Sequence, residues 1–221
     1  MGRMVFCDIE GTLIDGNSTR GFVREGRRMR MFAPRRMALA QGYLLLMRML
    51  PGPYATQLRW RAILQLLAGN SRAQVEEAGR AGMDLVRAQL KPQMVARLAE
   101  HKRAGDTVVL LSGGLHDAAK VIAEEVGADR GEGTRPELRD GRYTGRLGGA
   151  PINQGPAKAA RARALAAERG VFLADCMAYG DSAADIPLLA SVGHPIAVDP
   201  DPRLRAAAEA HGWEILTTTP A

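Results

Sequence analysis

Two carboxylates stand two residues apart near the start of the chain, directly after a short apolar run. The segment reads MVFCDIEGTL, and the carboxylates are Asp8 and Glu10. An ionised carboxylate is costly at the end of a buried strand unless a cation neutralises it or a reaction uses it. Strand alternation points both side chains in the same direction. The pair therefore suits nucleophilic attack by one carboxylate and proton transfer by the other.

Three further polar stretches could complete such a site. Ser112 and Gly113 follow the apolar run TVVLL, Asp181 and Asp185 follow CMAYG, and Lys158 begins a predicted helix after a Gly-Pro turn. A hydroxyl, a glycine main-chain N–H and an ammonium group all suit the oxygens of a transferring phosphoryl group.

Each stretch taken alone also has an ordinary structural explanation. Asp8 and Glu10 could form a turn, Asp181 and Asp185 could favour a helix N-terminus, and Lys158 could be a solvated helix residue. All of them, however, follow predicted buried strands or begin a helix beside one. This shared position favours one common site.

The elements that must position these residues alternate between apolar strands and helices over residues 91–221. This pattern predicts an α/β fold with a parallel sheet covered on both faces, and ligands bind at the carboxyl ends of the strands in such sheets. Asp140-Gly141 predicts a β-hairpin turn. Residues 18–90 read as helical without a strand, which predicts an insertion, and Ser71 with Gln74 predicts a capping box within it.

The composition of the 221 residues excludes several protein classes. Hydrophobic residues make up 46% and charged residues 24%, so the chain is not intrinsically disordered. Only two cysteines occur, which excludes a disulfide framework. The longest lipid-like run, residues 43–50, is interrupted by Arg48 and is too short to span a bilayer. With no export signal at the N-terminus, we expect a cytoplasmic protein without a transmembrane segment.

Four stretches, taken in their order along the chain, resemble the motifs of the haloacid dehalogenase superfamily. They are DIEGTL, SGG, GPAKAARA and GDSAADIPLL, and a helical block separates the first two. The similarity is to its phosphoserine-phosphatase-like branch (subclass IB) and covers nearly the whole chain. It implies a Rossmann-like, doubly wound sheet formed by residues 1–17 and 91–221. It also implies that residues 18–90 form an inserted all-helical cap that acts as a lid.

The resemblance further implies a Mg²⁺-dependent phosphomonoesterase acting through an aspartyl-phosphate on Asp8, with Glu10 as general acid and base. Asp8, Asp181 and the Glu10 main-chain carbonyl are the implied Mg²⁺ ligands. Asp185 is implied to bind through water or to orient Lys158. The family usually has Asp where this chain has Glu10, but enolase-phosphatases also carry DIEGT. Glu10 favours hydrolysis over dehalogenation.

The implied partner is a small phosphate ester, bound through Ser112, Gly113 and Lys158. Arg24, Arg27 and Arg28 could read a second anionic group of that substrate, or form a solvated helix face. These three arginines are the only substrate-binding candidates in the cap, because the sequence does not identify the acidic residue and the arginine with which family members bind phosphoserine. The oligomeric state, monomer or dimer, stays open.

Two alternatives remain. The first is another enzyme on the same fold, either a phosphotransferase or a dehalogenase. The second is a basic anion-binding module, because the net charge is +6 and an Arg-rich run over 24–36 precedes an apolar helix. A nucleic-acid partner is the less favoured form of this alternative, because no aromatic-rich basic sheet or basic tail accompanies the charge. An anionic membrane surface is the other form.

Overall fold

The structure is a computed structural model that describes residues 2–50 and 53–218. The chain divides into two compact units. The first, which we call the sheet unit, comprises residues up to 19, 83–134 and from 151 onward. The second, the helical unit, comprises residues 20–82 and 135–150.

Eight strands lie within the described residues. They are β1 (Met4–Cys7), β2 (Thr107–Leu115), β3 (Arg130–Thr134), β4 (Pro136–Arg139), β5 (Arg142–Leu147), β6 (Met177–Gly180), β7 (His194–Val198) and β8 (Glu214–Leu216). Six of them form one all-parallel sheet in the order β3-β2-β1-β6-β7-β8, and β4 pairs with β5 in antiparallel fashion.

Ten α-helices connect these strands within the same residues. They are α1 (Thr19–Arg28), α2 (Pro34–Met47), α3 (Pro53–Leu67), α4 (Arg72–Ala81), α5 (Met83–Arg87), α6 (Pro92–Arg103), α7 (His116–Glu125), α8 (Pro156–Glu168), α9 (Ile186–Leu189) and α10 (Pro202–His211). No helix among the described residues has both the length and the apolar character needed to cross a bilayer.

The sheet is covered on both faces, as its apolar strands require. All four residues of β1 are buried, and they alternate between two hydrophobic clusters. Val5 and Cys7 face the cluster that contains residues of α6 and α7, whereas Met4 and Phe6 face residues of α8 and α10. Each strand of a parallel sheet that is buried on both faces is a continuous apolar run, which explains why these strands could be recognised in the sequence. The predicted doubly wound α/β fold is confirmed.

The predicted hairpin is formed by β4 and β5, and it belongs to the helical unit. Asp140 (φ +50°) and Gly141 (φ +72°) both adopt the left-handed conformation that tight hairpin turns require. The Tyr143 N–H donates to the Asn70 carbonyl (3.0 Å), and the Tyr143 carbonyl accepts from the Gly69 N–H (2.8 Å). The helical unit therefore contains a two-stranded sheet from a distant part of the sequence in addition to its helices.

The first segment of the helical unit covers residues 20–82, whereas the insertion predicted from the sequence covers residues 18–90. Residues 83–90 lie in the sheet unit, and the helical pattern over 72–87 is broken at Gly82. A Cβ at Gly82 would lie 2.4 Å from the Gly21 backbone carbon, so α1 and this chain reversal approach closely only because both residues are glycine. The lid role of residues 18–90 stays a prediction.

The capping box predicted at the start of α4 is confirmed. The Ser71 hydroxyl accepts from the Gln74 N–H (3.2 Å), and the Gln74 side-chain oxygen accepts from the Ser71 N–H (2.9 Å). Together they satisfy two donors that the first turn of a helix leaves without intrahelical partners.

Candidate active site

The candidate residues of the sheet unit meet at the carboxyl ends of three neighbouring strands. Asp8 directly follows β1, Asp181 directly follows β6, and Ser112 lies in the last half of β2. In the strand order, β1 is flanked by β2 on one side and β6 on the other, so the chain reverses its direction of winding here. Such a switch point leaves a crevice at the strand ends where ligands bind. The Asp8 N–H donates to the Tyr179 carbonyl (3.0 Å), which holds Asp8 against β6.

Three carboxylates form a tight cluster in this crevice. One oxygen from each of Asp8, Asp181 and Asp185 lies within 4.8 Å of the others. Asp8 and Asp185 are buried, with 5% and 1% of their surfaces exposed. Ser182 holds Asp185 by donating from its hydroxyl (3.1 Å) to the carboxylate. The chain thus brings acids from opposite ends of the sequence close enough to share one cation.

Lys158 crosses this cluster from the first turn of α8. Its Nζ donates to Asp8 Oδ1 (2.5 Å) and to Asp185 Oδ1 (2.6 Å), and only 3% of the residue is exposed. Burial by itself lowers the pKa of a lysine, but the two carboxylates outweigh it and raise the pKa of Lys158 above its ordinary value. The side chain therefore remains a cation beside Asp8.

One ammonium does not neutralise the three acids. Burial raises the pKa of Asp8 well above its ordinary value, even though Lys158 opposes the shift. Burial, together with the charge of Asp185, raises the pKa of Asp181 to about 6. The ionised cluster is therefore short of positive charge at neutral pH.

Glu10 lies outside this cluster and is held by two hydroxyl groups. Ser112 Oγ donates to Glu10 Oε2 (2.8 Å), and Ser18 Oγ donates to Glu10 Oε1. Ser112 thus lies at these strand ends, and its hydroxyl joins β2 to the acid that follows β1. Its role in phosphate binding stays a prediction. Ser18 was missed, because a lone serine before a helix carries no signal of such a contact.

The turn at Ser112 and Gly113 is fixed by residues that sequence reasoning also missed. Asn153 Nδ2 donates to the Ser112 carbonyl (3.0 Å), and Thr134 Oγ1 donates to the Gly113 carbonyl (3.1 Å). Asn153 and Thr134 are themselves joined, because the Asn153 N–H donates to Thr134 Oγ1 (2.9 Å). The position of Thr134 at a strand end was the one available signal.

The loop after β1 reaches Asp181 only because residue 11 is glycine. Gly11 has φ +88°, and a Cβ at this position would lie 2.2 Å from Asp181 Oδ2. The next residue uses this proximity, since Thr12 Oγ1 donates to Asp181 Oδ1 (3.1 Å). The Gly-Thr pair therefore fixes the distance between the two motifs.

Lys91, which the sequence analysis did not select, holds the same loop from the other side. Its Nζ donates to the Gly11 carbonyl (2.6 Å) and to Asp199 Oδ2 (2.7 Å). Partial burial would raise the pKa of Asp199, but hydrogen bonds from Lys91 and Thr218 outweigh it and lower the pKa to about 2. Asp199 is thus a permanent anion that anchors Lys91 beneath the loop.

The three arginine candidates lie on α1 in the helical unit. Arg24 and Arg28 both pair with Glu25, at 2.7 and 2.6 Å, and the Arg27 guanidinium lies 3.8 Å from the sulfur of Met37. Two of these three cations are thus engaged with an acid of their own helix. A role for the arginines in substrate binding stays a prediction.

Comparison with known proteins identifies the family of this chain. The model of the haloacid dehalogenase-like hydrolases matches residues 5–190, from β1 to the end of α9, and so includes all the strand-end residues described above. The chain belongs to this family.

Several named proteins are similar in sequence to this hydrolase over nearly its whole length. The "inhibition of morphological differentiation protein" of Streptomyces azureus is 36% identical over 96% of this chain and 76% of its own length. A probable phosphatase and a phosphoserine phosphatase of Mycobacterium tuberculosis H37Rv are each 34% identical. They align over 96% and 95% of this chain and over 74% and 69% of their own lengths.

Solved structures share the fold of this hydrolase. A Bordetella pertussis Tohama I protein of unknown function superposes with a TM-score of 0.82 at 30% identity, over 99% of this chain and 100% of its own. An apo phosphoserine phosphatase superposes with a TM-score of 0.67 at 21% identity, over 99% and 94% of the two chains, which shows likeness of fold. The prediction of a hydrolase of this family is confirmed.

Proposed function

We propose that this haloacid dehalogenase-like hydrolase is a Mg²⁺-dependent phosphomonoesterase for a small phosphorylated metabolite. The observation that carries the proposal is the meeting of Asp8 with Asp181, Asp185 and Lys158 in one buried crevice. The naming of two relatives as phosphatases supports the same reaction class.

The donor set fits Mg²⁺. Carboxylate oxygens are hard ligands. Burial raises the pKa values of Asp8 and Asp181, so a divalent cation at this place would favour their ionised forms. Asp8, Asp181 and the main-chain carbonyl of Glu10 would hold the ion, with Asp185 outside the ligand set as the partner of Lys158. A bound Mg²⁺ supplies charge that screens the phosphate from Asp8 and polarises the phosphoryl oxygens.

In the first half of the reaction, an oxygen of Asp8 forms a bond to phosphorus while the bond from phosphorus to the ester oxygen breaks. Lys158 already donates to Asp8 Oδ1, so Asp8 Oδ2 is the oxygen that remains for the attack. The Ser112 hydroxyl and the Gly113 N–H bind phosphoryl oxygens, and the Lys158 ammonium offsets the charge of the transition state. Glu10 gives a proton to the departing ester oxygen.

In the second half, Glu10 removes a proton from a water molecule that attacks the phosphorus of the aspartyl-phosphate. The bond between phosphorus and the Asp8 oxygen breaks, which releases inorganic phosphate and restores the carboxylate. The same carboxyl group therefore acts first as acid and then as base. When the Ser112 hydroxyl turns from Glu10 to the phosphoryl group, the Ser18 hydroxyl keeps its contact with Glu10 and orients the carboxyl group.

Removal of divalent metal tests this proposal directly. With a chelator, hydrolysis of p-nitrophenyl phosphate is expected to fall by about 100-fold or more, and added Mg²⁺ should restore it. Asp181→Asn should raise the Mg²⁺ concentration needed for half-maximal activity by roughly tenfold or more, because it removes one charged ligand. Asp175→Asn, at an exposed aspartate of the same unit, is the control and should change neither value.

Three outcomes of this assay would contradict the proposal. Undiminished hydrolysis after chelation would exclude the metal-dependent route. Metal-independent halide release from a haloacid would identify a dehalogenase. Transfer of phosphate to an added alcohol in preference to water would identify a phosphotransferase.

Glu10→Gln is expected to separate the two halves of the reaction. A p-nitrophenolate leaving group needs no proton, so the variant should release one equivalent of it in a burst and then turn over about 100-fold more slowly or worse. An alkyl phosphate needs the proton in the first half as well, so its burst should be lost. Glu209→Gln, at an exposed glutamate on α10, should match the unmodified chain.

The contrary result is equally definite. If Glu10→Gln slowed both substrates to the same extent and gave no burst with p-nitrophenyl phosphate, Glu10 would not be the residue that carries the proton.

A further inference from the structure

The outer face of α2 in the helical unit is apolar. Four leucines of this helix are substantially exposed: Leu39 at 45%, Leu44 at 42%, Leu45 at 64% and Leu46 at 43%. Exposed apolar side chains continue after the helix, since Met49 is 74% exposed, Leu50 40% and Tyr54 65%. We call these seven residues the apolar patch.

The opposite face of α2 already has its packing partner. Ala40, together with the partly buried Met37 and Tyr43, packs against Ala62 and Leu66 of α3. The helix period of 3.6 residues places Leu39, Leu45 and Leu46 away from that face. The outer face of a helix at a protein surface is normally charged, yet residues 37–47 contain no charged side chain. This helix is therefore built to have apolar surroundings on its outer side as well.

Positive charge is concentrated in the part of the sequence that contains the apolar patch. Residues 26–75 contain nine arginines and no aspartate, glutamate or lysine. The whole chain carries a net charge of +6, so the remaining residues are net negative and the excess positive charge lies in this segment. Arg35 and Arg36 precede the uncharged stretch, Arg48 directly follows it, and Arg30 lies shortly before α2. The three of these that the proposal uses are Arg30, Arg35 and Arg48. All three are exposed, and none forms an ion pair with the residues that the structure describes.

We propose that the apolar patch and its flanking arginines dock on the surface of an anionic lipid bilayer. At 14 residues α2 is too short to span the hydrocarbon core, so it lies in the plane of the interface. Its leucines enter the boundary between headgroups and acyl chains, and the arginines bind the headgroup phosphates. The inference concerns a surface of the helical unit and does not depend on the proposed phosphatase reaction.

Charge complementarity favours a bilayer over the other two occupants. A second copy that used the same patch would bring two arginine-rich rims together, and like charges at an interface are unfavourable. A nucleic acid would leave the exposed leucines in water, since single strands are bound on aromatic side chains and duplexes through polar and charged ones. A bilayer with anionic headgroups satisfies the leucines and the arginines at once.

Co-sedimentation of the full chain with lipid vesicles tests the proposal. We expect binding to phosphatidylcholine vesicles that contain about one third phosphatidylglycerol, and at least about tenfold weaker binding to pure phosphatidylcholine. Leu45→Glu/Leu46→Glu should reduce binding to the anionic vesicles about tenfold or more, and so should Arg30→Gln/Arg35→Gln/Arg48→Gln. Raising the salt concentration should weaken binding of the unmodified chain.

Matched controls come from exposed residues of the sheet unit. Phe172→Glu removes an apolar side chain that is 77% exposed, and Arg163→Gln/Arg203→Gln/Arg205→Gln removes the same number of charges. Both should bind the vesicles within about twofold of the unmodified chain. Circular dichroism and thermal unfolding identify any variant that fails to fold, and salt dependence of the unmodified chain supplies a readout that needs no variant.

Four results would overturn the proposal. The first is equal affinity for anionic and neutral vesicles, and the second is an equal loss of binding in the control variants. The third is a stable dimer in solution that Leu45→Glu/Leu46→Glu dissociates, which would identify a second copy as the occupant. The fourth is salt-sensitive RNA binding that the arginine variant abolishes and the leucine variant leaves intact.

Discussion

Asp8→Asn is expected to abolish hydrolysis of phosphate esters, by at least about 1000-fold in kcat, without lowering the stability of the fold. The activity is lost because an amide oxygen is a poor nucleophile and the first half of the reaction requires a carboxylate. Stability is retained because the ionised side chain is unfavourable where it is buried, as its raised pKa indicates. Asparagine has the same shape and no charge, and Lys158 keeps its bond to Asp185.

The measurement pairs kcat for p-nitrophenyl phosphate with thermal unfolding in metal-free buffer. Asp15→Asn serves as control, because Asp15 is exposed and lies seven residues from Asp8 in the same segment. It should preserve both activity and melting temperature. Residual turnover of the Asp8→Asn protein at a tenth of the normal rate would rule out Asp8 as the nucleophile.

Lys158→Met is expected to lower both activity and stability, in contrast to Asp8→Asn. Removal of the ammonium leaves Asp8 and Asp185 as buried acids without their cation. Breaking a buried ion pair in this way costs about 3–5 kcal/mol in the free energy of unfolding. Activity should fall by about 100-fold or more, because the charge that opposes the transition state is also lost.

The stability loss should depend on pH with a definite sign. The pKa of Asp8 is already raised in the folded protein and rises further without Lys158, so the folded state holds a proton that the unfolded state releases. The cost is therefore smallest near pH 4, close to the ordinary carboxylate pKa, and grows as the pH rises through the folded-state value.

Urea unfolding of metal-free protein at pH 5 and pH 7.5 tests this prediction. The difference between Lys158→Met and the unmodified chain should be larger at pH 7.5. Lys120→Met, at an exposed lysine of α7, is the control and should be neutral at both pH values. A stability loss that is the same at the two pH values would mean that packing rather than charge holds Lys158 in place.

The carboxylates of the candidate site were predictable because the residues just before them form a recognisable pattern. A buried strand reads as an apolar run, so a carboxylate directly after one, such as Asp8 or Asp181, stands out in the sequence. The rule that parallel strands present their carboxyl ends at one edge then places both acids at that edge. Local pattern and a general rule of topology were sufficient for this part of the site.

The supporting residues were not predictable in the same way. Lys91, Ser18 and Asn153 are ordinary polar residues at helix boundaries or in connections, and nothing in their immediate sequence marks them. Their partners lie up to 108 positions away, as in the pair formed by Lys91 and Asp199. Contacts at such separation depend on how the chain packs, which local periodicity does not record.

The hairpin illustrates the same limit. Its turn was evident from Asp140-Gly141, because only residues that tolerate a positive φ form such a turn. Its place in the helical unit was not evident, since that depends on main-chain hydrogen bonds to Gly69 and Asn70.

By itself, the sequence determined the parallel α/β fold, the family and the acids and lysine of the candidate site, because apolar periodicity and strand-end polarity are properties of adjacent residues. Only the tertiary structure decided that β6 lies beside β1, that Lys158 joins Asp8 to Asp185, and that the leucines of α2 face outward. These features depend on which distant segments pack together and on which faces they leave uncovered. That choice is made by the free energy of the whole folded chain.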